Sequence, residues 1–296
     1  MTDIELDPAA VLAALGWGGA NVVVPVAGGW DTALWRVERD GRAYALRVFR
    51  PEQAATCRLE VAAMAAAHAA GLPVPAVRAV GCWRERPALL LTWCDGRTAL
   101  DVARAAPGRL WSLGVLLGRT QAAIHAIPAP PAIRAAGSWL DWSGPMDDQL
   151  RERLCGISLR DDALLHLDYH PLNVMVAGGR VSGVLDWANA RAGDPRADLA
   201  RTVAILRLAP TPPNAPPLLF RTGRRVLEAG WRRGYRQVAG PIGDLSLFYA
   251  WAGSVMERDL AAKIGRPGIW LTERDLAPIR RWTAHWSARA GAQDAP

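Results

Sequence analysis

Residues 165–174 have the sequence LHLDYHPLNV, in which a carboxylate, Asp168, is followed by an amide, Asn173. A second carboxylate, Asp186, follows in the segment VSGVLDW, residues 181–187. Asp168, Asn173 and Asp186 are close in sequence, and two short apolar runs lie between Asn173 and Asp186. Together they are the candidates for a single site.

The two apolar runs between these side chains predict a β-hairpin. They cover residues 174–177 and 181–185, and the pair Gly178-Gly179 separates them. A hairpin returns the end of its second strand to the start of its first. We therefore expect the second carboxylate to lie beside the amide and the first carboxylate.

Phosphoryl transfer from a nucleotide needs this set of groups. A carboxylate orients or deprotonates the acceptor hydroxyl, and hard oxygen ligands hold the magnesium ions that neutralise the phosphates. The order acid, amide, acid across a hairpin matches the catalytic loop and the metal-binding loop of kinases. In this interpretation Asp168 is the catalytic residue, and Asn173 and Asp186 are the metal ligands.

Three segments make the resemblance to a family specific: HLDYHPLN at 166–173, VLDW at 184–187 and GDPRADLA at 193–200. In this order they resemble the aminoglycoside phosphotransferase and choline kinase-like family. The resemblance implies an α+β, two-lobed protein-kinase-like fold. Its N-terminal lobe, residues 1–94, would hold a small antiparallel sheet, and its C-terminal lobe, residues 95–296, would be mainly helical. It also implies ATP and Mg²⁺ as cofactors, with ATP in the cleft between the lobes.

A glycine pair near the N-terminus predicts a phosphate-binding loop. Gly28 and Gly29 lie between two predicted strands, residues 22–26 and 34–38. Two glycines in a strand-turn-strand segment let backbone amides approach phosphates closely. No Gly-Lys-Ser/Thr sequence follows, so this is not a Walker A loop.

The strand predicted at residues 43–49 carries a small residue, Ala45, two positions before a cation, Arg47. Strand alternation places both on one face, where Ala45 leaves room for adenine and Arg47 reaches the phosphates. Most kinases have lysine in place of this arginine, and a planar guanidinium does not freely replace a point charge. The resemblance implies that Glu60, on a helix predicted at residues 52–70, pairs with Arg47.

The hinge between the lobes is expected at the turn CDGR, residues 94–97, because the strand pattern stops there. The backbone of Thr92, Trp93 and Cys94 is expected to hydrogen-bond the edge of the adenine.

Helices are predicted after the hinge, and in this family the C-terminal helices build the acceptor pocket. In the catalytic stretch, His166 is expected to brace the loop by hydrogen bonds, and His170 to approach the transferred phosphate. The resemblance implies that Asp198 holds the backbone of the catalytic loop from inside the fold. The predicted helices cover residues 110–127, 218–237, 244–262 and 272–289, with another starting in 193–200.

Composition fits a chain of this kind. The 296 residues are 51% apolar and 21% charged, which is enough for a sizeable core. The net charge is +7, but the arginines form no continuous stripe, so we expect no nucleic-acid partner. An acidic N-terminus, interrupted apolar runs and four cysteines without metal or redox spacing predict a cytoplasmic protein without a membrane partner. A monomer or a homodimer is expected.

The sequence leaves the acceptor open among aminoglycosides, macrolides, choline-like amines, sugars and other hydroxylated small molecules. A polycationic acceptor would need an acidic pocket, yet from Arg201 onward there are fifteen basic residues and seven acidic ones. Tryptophans would suit a quaternary amine or an apolar acceptor. The alternative function is a nucleotide-binding pseudokinase or regulatory module without turnover, which the departure from lysine at Arg47 keeps open. A protein kinase is disfavoured, because no Phe-Gly follows Asp186.

Overall fold

The computed structural model describes residues 6–19, 22–26, 32–210, 217–266 and 270–292. The glycine pair predicted to bind phosphate, Gly28 and Gly29, lies outside the described residues.

The N-terminal part of the chain forms one antiparallel sheet of five strands in the order β1-β2-β3-β5-β4. The Asp-Gly turn predicted between β2 and β3 is present, with positive φ at both Asp40 and Gly41. The strands are β1 (Val22–Pro25), β2 (Ala33–Arg39), β3 (Arg42–Val48), β4 (Val77–Trp83) and β5 (Arg86–Thr92), and the helices of this part are α1 (Pro8–Ala14) and α2 (Ala54–Ala69).

The two faces of β3 differ as the alternation predicts. Tyr44, Leu46 and Val48 are buried and share a small core with Val11 and Leu12 of helix α1. The opposite face carries the partly buried residues that were predicted to face the nucleotide. Strand β3 therefore presents one face to a local core and the other to the rest of the molecule.

The C-terminal part is mainly helical, with two small sheets, β10-β7 and β6-β8-β9. The antiparallel sheet and the helical part together confirm the fold class predicted from the sequence. The elements are β6 (Arg97–Thr98), α3 (Ala99–Ala105), α4 (Leu110–His125), α5 (Pro131–Arg134), α6 (Trp139–Trp142), α7 (Asp148–Cys155), β7 (Ala163–Leu165), β8 (Val174–Ala177), β9 (Arg180–Val184), β10 (Arg191–Gly193), α8 (Pro195–Leu208), α9 (Pro217–Ala239), α10 (Ser246–Ala261) and α11 (Glu273–Ala292). None of the helices in the described ranges is long and apolar enough to cross a membrane.

Helix α8 begins at Pro195, inside the segment 193–200 in which its start was predicted. Asp194 caps the helix by accepting a hydrogen bond from the Arg196 amide. Residues 191–193 instead form strand β10, which pairs with β7. Gly193 is needed there, because a Cβ at this position would lie 2.2 Å from the Trp139 side chain.

Helices α4 and α9 approach each other through glycines on both sides. Gly114 and Gly118 of α4 face the backbone of α9, and Gly230 and Gly234 of α9 face the backbone of α4. A Cβ at Gly118 would lie only 2.0 Å from the carbonyl oxygen of Trp231. Among the described residues, these two helices form the most extensive helix pair. Gln121 of α4 bonds Thr202 of α8, and the Tyr169 hydroxyl donates to the carbonyl oxygen of Leu117 of α4.

We predict that Gly118→Ala lowers the free energy of unfolding by roughly 1–3 kcal/mol, the usual cost of overpacking a close contact. Gly108→Ala is the matched control, because a Cβ there would meet no atom within 4 Å. Chemical denaturation of both variants measures the difference. Equal stability of the two would contradict the close contact between α4 and α9.

Candidate active site

The hairpin β8-β9 brings the three candidate polar residues together. Val174 pairs with Val184, and the Leu185 amide donates to the carbonyl oxygen of Asn173 at 2.8 Å. Asp186 is therefore the next residue after Leu185, whose backbone amide is hydrogen-bonded to Asn173. The Asn173 side-chain amide donates to both the carbonyl oxygen and Oδ2 of Asp168, at 3.0 and 3.1 Å.

A buried carboxylate, Asp198 on α8, holds the start of the catalytic loop. It accepts hydrogen bonds from the backbone amides of His166 and Leu167, at 3.0 and 2.8 Å, and lies 2.9 Å from Nε2 of His125. Burial opposes its ionisation, but the hydrogen bond and charge of His125 and the contacts with His166 outweigh it and lower the Asp198 pKa. Leu167 has a φ of 59°, an unfavourable conformation for leucine that these bonds stabilise.

His166 ties the catalytic loop to the strand that leads to Asp186. Its ring is fully buried, with Nε2 3.0 Å from the carbonyl oxygen of Leu185 and Nδ1 3.3 Å from the Asp168 amide. Burial lowers the His166 pKa, so the ring is neutral near pH 7. The two partners assign the proton to Nε2, which donates, while Nδ1 accepts. His166 thus braces the loop by hydrogen bonds, as the sequence predicts.

The Asp168 carboxylate is partly exposed and remains ionised. Burial would raise its pKa, but the nearby imidazole of His170 and the positive charge of Arg201 lower the pKa well below its usual range. Nε2 of His170 lies 3.6 Å from Asp168 Oδ1. The structure therefore places His170 against the carboxylate of Asp168.

The donor set fits a magnesium ion. Because the Asn173 amide nitrogen faces two oxygen acceptors of Asp168, its Oδ1 is left as a hard ligand atom. The carboxylate side chain of Asp186 is 46% exposed and thus open to an ion. Among the described residues no group of three or more His, Cys, Asp or Glu could hold a metal. Phosphates and water would have to supply the remaining ligands, which is the usual arrangement for Mg²⁺.

The predicted cation and its helix partner are in contact. Arg47 forms a salt bridge with Glu60, which is fully buried, and its second nitrogen lies 3.7 Å from Asp186. Burial raises the pKa of Glu60, and the positive charge of Arg47 opposes this shift. The forked guanidinium contacts both carboxylates at once, which sequence reasoning did not anticipate.

The three residues predicted at the hinge, Thr92, Trp93 and Cys94, differ in the hydrogen bonds that they make. The Thr92 amide donates to the carbonyl oxygen of Ala76, and its hydroxyl accepts from the Ala76 amide. The Trp93 amide donates to the carbonyl oxygen of Ala43. In the described part of the chain, only Cys94 of the three has a backbone without a protein hydrogen bond. A cavity of about 470 Å³ opens beside the hinge, bordered in part by Thr92 and Trp93.

Arg201 on α8 is a residue of the site that sequence reasoning missed. Its Nε donates to the carbonyl oxygen of Leu167 at 3.2 Å, and its Nη2 donates to Asp259 at 2.9 Å. It lies one helical turn after Asp198, but its partners, Leu167 and Asp259, are distant in sequence, so no local pattern indicated it. Arg201 connects the catalytic loop to helix α10.

The sequence model of the phosphotransferase enzyme family matches residues 22–240. The chain belongs to this family. No curated protein sequence matches it significantly.

Solved structures of phosphotransferases share the fold. A thermostable mutant of aminoglycoside phosphotransferase APH(4)-Ia, in a ternary complex with AMP-PNP and hygromycin B, is 18% identical with a TM-score of 0.64, covering 97% of this chain and 99% of that one. Amicoumacin kinase hAmiN, in complex with AMP-PNP, Ca²⁺ and Ami, is 14% identical with a TM-score of 0.65, covering 90% and 88%. An aminoglycoside-3′-phosphotransferase of type VIII is 21% identical with a TM-score of 0.59, covering 83% and 97%. At such low sequence identities, the similarity to these structures shows a shared fold.

We predict that Asp198→Asn lowers the free energy of unfolding by about 3–5 kcal/mol at neutral pH, because it leaves buried donors without their charged acceptor. The folded-state pKa of Asp198 is lowered, so its contribution is complete above the ordinary aspartate pKa and is lost as pH falls below about 4. Denaturation at a series of pH values should show the wild type and the variant converging in acid.

The exposed carboxylate Asp40 gives the control, since Asn suits its turn conformation. A stability gap between wild type and Asp198→Asn that does not change with pH would contradict the role given to the Asp198 charge.

Proposed function

We propose that this phosphotransferase transfers the γ-phosphate of ATP to a hydroxyl group of a small molecule. The observation that carries the proposal is the contact between Asn173 and Asp168, with Asp186 held beside them by the Leu185 bond. AMP-PNP, an ATP analogue, is bound in two of the similar structures, which supports ATP as the donor. A cytoplasmic location, as expected from the sequence, is part of the proposal.

In this proposal Asp168 is the catalytic residue. Its ionised carboxylate accepts a hydrogen bond from the acceptor hydroxyl, orients that oxygen and takes its proton as the phosphoryl group is transferred. A carboxylate of low pKa is a weak base, so its main contribution is orientation. That suffices because phosphoryl transfer depends mostly on positioning and charge neutralisation.

Asn173 Oδ1 and the Asp186 carboxylate would hold Mg²⁺, which supplies charge neutralisation on the phosphates when bound. Arg47, fixed by Glu60, would contact the phosphates from the side of the N-terminal sheet. The fork of Arg47 reaches Asp186 too, so it can link the phosphate and metal positions.

The base of the nucleotide would lie beside the hinge. Of the three hinge residues, Cys94 has a backbone available to hydrogen-bond the edge of the base. Thr92 and Trp93 would border the base, but their amides already donate to other carbonyl oxygens. Ala45 lies on the same face of β3 as Arg47 and leaves space there. Gly28 and Gly29 would form the phosphate-binding loop.

A second candidate function rests on the contact between Arg47 and Asp186. If the guanidinium remains 3.7 Å from the carboxylate when nucleotide is bound, it competes with the magnesium ion for Asp186. The protein would then bind nucleotide without turnover. The two predictions below separate these functions.

We predict that Asp168→Asn lowers kcat for acceptor-dependent ADP release roughly 100- to 10,000-fold, the usual contribution of a general base. Nucleotide affinity should change little, because Asp168 contacts the acceptor. Asp161→Asn is the matched control, an exposed aspartate on the loop before β7. Undiminished turnover in Asp168→Asn would refute its role.

We predict that Asp186→Asn removes magnesium-dependent turnover while the protein stays folded. Asn is chosen because Asp186 has a φ of 60°, which Asn tolerates better than Ala. ADP release is measured against Mg²⁺ concentration. The same magnesium dependence in variant and wild type would refute the metal assignment, and nucleotide binding without turnover in the wild type would favour the pseudokinase.

A further inference from the structure

Arg191 lies on the strand that flanks the entrance to the catalytic loop. It is in register with Leu165, the last residue of β7, and the chain continues from Leu165 to Asp168. Strand β10 therefore runs beside the segment that carries the catalytic carboxylate.

The positive charge of Arg191 has no counterion among the described residues. Its one hydrogen bond runs from Nη1 to the carbonyl oxygen of Ala190 at 2.7 Å, and its Nε is buried without a partner. No carboxylate of the described chain pairs with it, and burial lowers its pKa. A half-buried cation without a counterion is costly, which points to a ligand that supplies the missing negative charge.

The ring of Trp142 lies near two guanidinium groups. The Arg191 guanidinium is 6.0 Å from the ring centroid, and that of Arg258 is 4.8 Å away. Arg258 is fully occupied, because it donates to the carbonyl oxygens of Trp142 and Ser143 and to Asp259. Arg191 is the member of this cluster whose charge is free for a ligand.

This cluster is connected to the catalytic loop through side chains. Asp259 also accepts from Arg201, and Arg201 donates to the carbonyl oxygen of Leu167, next to Asp168. The cluster of Trp142 and Arg191 therefore lies on the side of the site that Asp168 and helix α10 share. A ligand bound there would have its hydroxyl groups near the catalytic carboxylate.

The acidic residues on this side each have a partner within the chain. Asp141, next to Trp142 in sequence, accepts from Ser138 and pairs with Arg151. Asp259 is bound by two arginines, as described. The remaining acids of α10 and of the start of α11 are engaged too: Glu257 and Glu273 with Arg280, and Asp275 with Thr272.

We propose that the acceptor is an anion, a small hydroxylated molecule whose carboxylate or phosphate group pairs with Arg191 beside Trp142. The proposal rests on the proposed function and names its substrate class. The acceptor oxygen forms a bond to the γ-phosphorus of ATP, the bond from that phosphorus to the β,γ-bridging oxygen breaks, and the hydroxyl proton goes to Asp168. The products are ADP and a phosphate ester that is more negative than the acceptor.

Two matched series of acceptors test the charge. The first is glycerol, glycerate, glycerol 3-phosphate and 3-aminopropane-1,2-diol, and the second is glucose, gluconate, glucose 6-phosphate and glucosamine. ADP release should be stimulated by an anionic member of a series more than by its neutral and cationic counterparts. Comparison of the carboxylate with the phosphate member tells which anion fits.

Variants of Arg191 test the residue. Arg191→Gln should lower kcat/KM for the anionic acceptor roughly 10- to 100-fold, mainly by raising KM, the range expected for a hydrogen bond to a charged group. Arg191→Lys should recover part of this loss, because it keeps the charge. The exposed Arg180 gives the matched control, since Arg180→Gln removes the same charge from the far end of the β8-β9 hairpin.

A neutral or cationic acceptor as the best substrate, or an unchanged kcat/KM in Arg191→Gln, overturns the anionic acceptor while the phosphotransferase function stands. If no acceptor of any charge stimulates ADP release, the proposed function fails, and calorimetric titration of gluconate and glucose 6-phosphate into the full chain decides the anion site. Binding that Arg191→Gln abolishes supports the site, whereas no binding, or equal binding in both proteins, overturns it.

Discussion

The site depends on one buried carboxylate, Asp198. It is fully buried, and its acceptors are filled by two consecutive backbone amides of the catalytic loop and by His125 of helix α4. An ionised carboxylate without such donors would cost several kcal/mol in this environment. The conformation of the loop, with Leu167 strained and Asp168 partly exposed, therefore depends on the side-chain contact between α4 and α8 that His125 and Asp198 make.

A second constraint links the N-terminal sheet to the hairpin flanked by the proposed metal ligands, Asn173 and Asp186. Arg47 on β3 contacts Glu60 of helix α2 and Asp186 at the end of β9, so one guanidinium joins three elements. Burial makes the charge of Glu60 unfavourable without this partner. The arginine that departs from the usual kinase lysine therefore has a structural explanation, since a fork can contact two carboxylates. The division of the chain at residue 94 stays a prediction.

Sequence reasoning succeeded where the interacting groups are close in sequence or repeat with a regular period. The hairpin after Asn173 and the two faces of β3 follow from glycine turns and alternation, whereas the loop contact of Asp198 was implied by the family resemblance. It did not reveal the contact of α4 with α9, although glycines four residues apart in both helices were a usable signal. The Arg201–Asp259 pair and the β7–β10 ladder depend on tertiary packing between distant segments, which local patterns do not encode.

The most direct test of the account is phosphorus NMR of wild-type protein incubated with ATP, Mg²⁺ and a panel of hydroxylated acceptors, with Asp168→Asn in parallel. The wild-type sample should give ADP together with a new phosphomonoester resonance, and the variant neither. Release of inorganic phosphate with no phosphomonoester, or the same phosphomonoester from both proteins, would contradict transfer to an acceptor hydroxyl oriented by Asp168.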